Sequence, residues 1–106
     1  MKLIIAIVQK EDSNKLQETF VENDIRATKL ATTGSFLGDG NTTFLIGTED
    51  EKVDSILEII KEKSQVRESL VQPNLLATGL EMNQMVKVTV GGATCFVVPV
   101  DDFKRF

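Results

Sequence analysis

Residues 26–47 read RATKLATTGSFLGDGNTTFLIG. Two β-rich runs flank a connection punctuated by Gly34, Gly38 and Gly40, which predicts a strand over about 25–33, a turn-rich link over 34–40 and an antiparallel strand over 41–47. Thr28, Thr32, Thr33, Ser35, Asn41, Thr42 and Thr43 crowd this hairpin, with Arg26 and Lys29 at its start. Threonine is a good strand former and glycine marks turns, so a hairpin that only covers a core accounts for part of this composition. Hydroxyls, an amide and two cations around one turn also suit an anion that carries a flat, hydrogen-bonding ring.

On the N-terminal side, residues 3–8 are continuously apolar and β-branched, as expected of a central strand covered on both faces or nearly so. The opening MKLIIAIVQK has one lysine, a very short apolar run and no small-residue cleavage site, so it is expected to be the first strand rather than a leader. Glu11, Asp12, Ser13 and Asn14 then supply acidic and capping residues for a helix, with Leu16 and Phe20 on its apolar face through about Asn23.

On the C-terminal side, Thr48 and Glu51 have the spacing of a capping box. Val53, Ile56, Leu57 and Ile60 follow at i, i+3, i+4 and i+7, predicting a second helix to about Lys63. Residues 65–84 show no clean period and contain Pro73, Asn74 and Gly79, which reads as a long loop. Its Leu75, Leu76, Leu80 and Met82 suit packing on a partner or a neighbouring subunit. Residues 85–90 alternate, Gly91 and Gly92 interrupt, and residues 93–98 resume as apolar β before Pro99.

The order β-α-β-β-α-β defines an α+β, ferredoxin-like fold. It consists of a four-stranded antiparallel sheet with two helices on one face, in a single domain over residues 1–106. The other sheet face is left uncovered, and self-association is the simplest way to cover it.

Composition narrows the chemistry. Histidine, tryptophan and tyrosine are absent and Cys95 is the lone cysteine. Imidazole-dependent triads, Cys/His metal sites and an intrachain disulfide are excluded, and the thiol, set in an apolar run, reads as buried and inert. This usage fits a reducing cytosol and a cytoplasmic protein. The net charge of −4 disfavours a nucleic acid polymer or an anionic membrane as partner. No carboxylate cluster suggests a metal and no base sits beside a nucleophile, so an enzyme is not expected and no cofactor is implied.

A small anion needs only local donors. Arg26 offers a fork of N–H groups and Thr28 a hydroxyl two residues on, on the same strand face. Backbone N–H groups over Gly34, Ser35, Phe36 and Leu37 could form a nest. The Asn41 amide donates and accepts at once, which suits an adenine edge, and Gly47 would let a ring approach the backbone. Phe36 and Phe96 are candidate stacking residues. Each has a plainer reading as solvated edge charge, turn residue or core. At this level a sensor of ATP or an amino acid, and a structural interaction subunit, stand beside a nucleotide sensor.

The hairpin RATKLATTGSFLGDGNTTFLIG, together with VGGATCFVVPVDDF, MKLIIAIVQ and the spacing to Ser13 and Asn14, resembles the cyclic di-AMP receptor family of PII-like signal transduction proteins. The resemblance spans nearly the whole chain. It implies a PII-like homotrimer with one cyclic di-AMP in each of three inter-subunit clefts. It implies that Arg26 and Thr28 contact the ligand and that Gly34, Ser35, Phe36 and Leu37 hold phosphate and ribose through the backbone. Asn41 and Gly47 would read an adenine edge. Phe96 would border a base from the neighbouring subunit, and Gly91 and Gly92 would permit close backbone approach near the cleft. The family is not known for enzymes, and its members relay ligand binding by loop rearrangement to a downstream protein that the sequence does not identify. Two departures stand out. Ser35 occupies a position where the family commonly has glycine, and residues 72–85 lack the Pro- and Tyr-rich stretch of relatives.

Overall fold

The computed structural model describes residues 1–30, 40–71 and 86–106. The hydrophobic run at the N-terminus forms β1 (Lys2–Gln9), followed by α1 (Lys10–Glu22), β2 (Thr28–Leu30), β3 (Asn41–Thr48), a 3-10 turn (Asp50–Lys52), α2 (Val53–Ser64), β4 (Arg67–Val71), β5 (Val86–Val90) and β6 (Ala93–Pro99). Four strands make one antiparallel sheet in the order β2-β3-β1-β6, the ferredoxin-like arrangement, while β4 and β5 pair as a separate two-stranded ribbon.

The register of β1 explains the core. Lys2 through Gln9 pair with Thr48 back to Asn41 on one side, and Lys2 through Val8 pair with Pro99 back to Ala93 on the other. Side chains alternate across a strand, so Ile4, Ala6 and Val8 point to the helices and Leu3, Ile5 and Ile7 point away. The first set is buried with Phe44 and Ile46 of β3, Leu16 and Phe20 of α1, and Ile56 and Ile60 of α2. Phe20 and Phe44 meet edge to face, with centroids 5.5 Å apart at 83°. The second set is half-buried, so within one protomer β1 is sealed on its helix face and only partly covered on the other.

Helix α1 ends in a Schellman arrangement. The Ile25 N–H donates to the Phe20 carbonyl at 2.8 Å and Asp24 takes the left-handed conformation at φ 55°. This stop turns the chain toward β2, with Arg26 two residues before the strand begins.

Three expectations change. The capping box at Thr48 and Glu51 does not form: Thr48 remains the last residue of β3, paired with Lys2, and a 3-10 turn leads into α2 with no side-chain cap. The long loop read over 65–84 contains β4, whose five residues pair with β5, so residues 72–85 alone separate the two strands. Residues 85–90 do not join residues 93–98 as one strand of the main sheet, because Gly91 and Gly92, both at positive φ, divide a ribbon strand from a sheet strand. The second strand is described over Thr28–Leu30: residues 25–27 of its expected extent precede it, and residues 31–33 lie outside the described residues.

Strand β6 is an edge of the sheet. Phe96, Val97 and Val98 are exposed there, the strand closes on Pro99, and Gly91 and Gly92 precede it.

Candidate functional site

Strand alternation gathers most of the described candidates on one surface. Thr28 pairs with Leu45, Gly47 with Leu3, Asn41 with Gln9, and Phe96 with Ile5. Cross-strand partners share a face, so Thr28, Asn41, Gly47 and Phe96 all lie on the sheet face that the helices leave open. Lys29, one residue out of phase, lies on the helix side, where its ammonium donates to Asn14 Oδ1 at 3.3 Å.

The open face is largely apolar through Leu3, Ile5, Ile7, Leu45, Phe96 and Val98, with Phe96 52% exposed. Within it, Thr43 is buried, and its Oγ1 has no hydrogen-bond partner among the described residues. Buried hydroxyls are nearly always paired, so this one is an exception.

The candidates divide between the two ends of β3. Gly47 and the exposed Arg26 line a recess of about 650 Å³ that also includes Thr48, Lys52, Asp24 and Glu49. Arg26 and Lys52 share this recess with Asp24 and Glu49, so charges of both signs line it. A Cβ placed on Gly47 would meet nothing within 4 Å, so the space beside its backbone is free. Asn41 lies at the opposite end. It borders a recess of about 680 Å³ with Lys10, Ser13, Asn14 and Lys29, and a shallower groove of about 310 Å³ with Gln9, Gly92 and Thr94.

Asn41 and Gly47 are six positions apart, or about 20 Å along a strand. One purine edge is far too short to touch both residues of the same protomer. The family-implied pairing of Asn41 with Gly47 on one adenine is not what a single protomer presents.

Gly91 and Gly92 do permit close approach, but to the chain itself. Gly91 has φ 88°, and a Cβ there would sit 2.6 Å from Arg67 Nη1 and closer still to the Gln65 carbonyl. Gly92 has φ 101°, lies against Val66, and donates its N–H to the Ser64 carbonyl. Their shape requirement is met inside the protomer, where they seat the root of the β4–β5 ribbon.

An ion pair absent from the sequence reading holds the same root. Asp12, buried in the first turn of α1, accepts from Arg67 Nη2 at 2.6 Å (Oδ1) and from Nη1 at 3.3 Å (Oδ2). The Asp12 carboxylate holds the half-exposed Arg67 guanidinium above its ordinary value. A buried acidic residue at a helix start is read as a capping residue from sequence, and its partner lies 55 positions away.

Cys95 packs half-buried on the helix side, and desolvation pushes its thiol up, away from the reactive thiolate. Gly34, Ser35, Phe36 and Leu37 lie outside the described residues. No helix among the described residues is long and apolar enough to cross a membrane.

A chain with this sheet, this open face and these hairpin residues matches one protein family over residues 1–106, the family described as "Cyclic-di-AMP receptor". The protein belongs to the cyclic-di-AMP receptor family. A crystal structure described as that of a functionally unknown protein from Pediococcus pentosaceus ATCC 25745 has the same fold. It is 51% identical in sequence with a TM-score of 0.82, over 99% of this chain and 96% of that one.

Proposed function

We propose that this protein is a cytoplasmic receptor that binds cyclic di-AMP where copies of the chain meet, as a homotrimer, and passes the signal to a downstream protein by rearrangement of its loops. It acts as a binding protein, not an enzyme, and needs no cofactor beyond the ligand. The observation that carries the reading is the family match over the whole chain. The shared open face of Thr28, Asn41, Gly47 and Phe96 supports it.

The chemistry follows from that face. Arg26 and Thr28 supply donors for a phosphate. The open space beside Gly47 admits a purine against backbone, and the Asn41 amide matches the N6/N7 edge of another. Because those two positions stand about 20 Å apart, they serve different purines of the dinucleotide or different sites of the assembly. Phe96 of a neighbouring copy supplies a base-stacking surface. Gly34, Ser35, Phe36 and Leu37 complete the phosphate and ribose contacts through their backbone. A second copy seated on the open face would cover Leu3, Ile5 and Ile7.

Titration calorimetry with cyclic di-AMP, using cyclic di-GMP as control, tests the reading. Saturable binding of the first is expected, and no heat at micromolar ligand would overturn it. Replacing Asn41 by alanine should weaken binding by about 1–3 kcal/mol, the usual loss for a buried hydrogen-bonding amide. Unchanged affinity would remove Asn41 from the site.

A further inference from the structure

The junction between β1 and α1, residues 9–12, touches both the ligand-facing hairpin and the β4–β5 ribbon. On the hairpin side, Gln9 is the register partner of Asn41, and the Lys10 N–H donates to the Gly40 carbonyl. On the ribbon side, Gln9 Oε1 accepts the Gly91 N–H at 2.7 Å, and Asp12 holds Arg67 with two hydrogen bonds. The ribbon's root has little freedom elsewhere. Gly91 is wedged against the Gln65 carbonyl and Arg67, and the Gly92 N–H is bound to Ser64, the buried last residue of α2.

A two-stranded ribbon is marginal in water, so its order depends on what grips its root. The grip here comes from Gln9, the strand partner of Asn41, and from Asp12, three residues further on.

We propose that residues 9–12 couple the Asn41 end of the hairpin to the β4–β5 ribbon, with Gln9 and the Asp12–Arg67 pair as positioning contacts that transmit ligand binding to the ribbon. The inference rests on the receptor reading above and adds a route to it. A displacement of Gly40 or Asn41 by ligand moves the β1–α1 junction through Gln9 and Lys10. The same junction then tightens or releases Gly91 and Arg67. A rigid, two-sided anchor of this kind biases a segment of low intrinsic stability, which is the physical requirement for coupling between separated sites.

Hydrogen exchange on the full chain, with and without saturating cyclic di-AMP, tests it. In the parent protein, ligand should change exchange at amides of residues 67–71 and 86–90 by about tenfold or more. Arg67→Gln and, separately, Gln9→Leu should reduce that ligand-induced change to less than about twofold. Occupancy is confirmed by calorimetry, and the thermal unfolding transition should stay cooperative. Gln9→Leu leaves the Asp12–Arg67 pair intact and Arg67→Gln leaves the Gln9–Gly91 bond, so loss of fold in one variant leaves the other informative. A ribbon that responds equally in both variants, or a parent protein that binds ligand without any change in the ribbon, overturns the coupling while the receptor reading stands. Absence of binding by the parent protein overturns both.

Discussion

Strand β1 has two faces, and their fates differ. Ile4, Ala6 and Val8 are sealed under both helices, whereas Leu3, Ile5 and Ile7, just as apolar, are only half-covered. The sealed face specifies the protomer, and the open face carries the candidate ligand residues. On the proposed reading, apolar surface on the second face serves what the protomer meets rather than how it folds.

The contrast can be broken first in the sealed half. Phe44→Ala removes a fully buried ring packed on Phe20 and should cost about 3–5 kcal/mol in urea unfolding. A loss below about 1 kcal/mol would mean the helix side is not the core. Gly91→Ala forces a side chain into left-handed backbone and into the Gln65 carbonyl, and should cost about 1–3 kcal/mol. Gly40→Ala, also at positive φ but with free space around it, should cost less. Equal costs would show that the wedge at the ribbon root is loose.

Phe96→Ala sharpens the comparison from the open half. It should change the unfolding free energy of the dilute protomer by no more than about 0.5 kcal/mol while lowering the sedimentation coefficient at high concentration. Unaltered association would detach Phe96 from the interface.

Cys95 gives the smallest effect. Its raised thiol pKa disfavours thiolate in the fold, so alkylation at pH 8.5 should be slower in the native protein than in urea. By linkage, this group's contribution to stability is full below the unfolded value and is lost as pH rises through the folded one. Equal alkylation rates would show that the burial is inconsequential.

Much of this organisation is legible in the residues. The apolar run at residues 3–8 and the i, i+3, i+4, i+7 spacing of Val53, Ile56, Leu57 and Ile60 correspond to β1 and α2, because both signals are local and strongly periodic. The polar, short β4 is not legible, since RESLV becomes a strand by pairing with VKVTV across an intervening segment. Thr48 reads as a helix cap until the register shows it bonded into the sheet. Period-two alternation is enough to put Thr28 on a strand face with Arg26 two residues before it. The separation of Asn41 from Gly47 needs the register with β1, and the ownership of Gly91 and Gly92 by the ribbon root needs tertiary contacts with Gln65 and Arg67.

The edge formed by β6 has a fixed length. Glycines in left-handed backbone stand before Ala93, and Pro99, which has no N–H to donate, ends the strand. A neighbouring strand laid along this edge finds hydrogen-bonding positions only between those two stops, so it has little room to slide in register. Such a bounded template would fix the alignment of any strand that pairs with it.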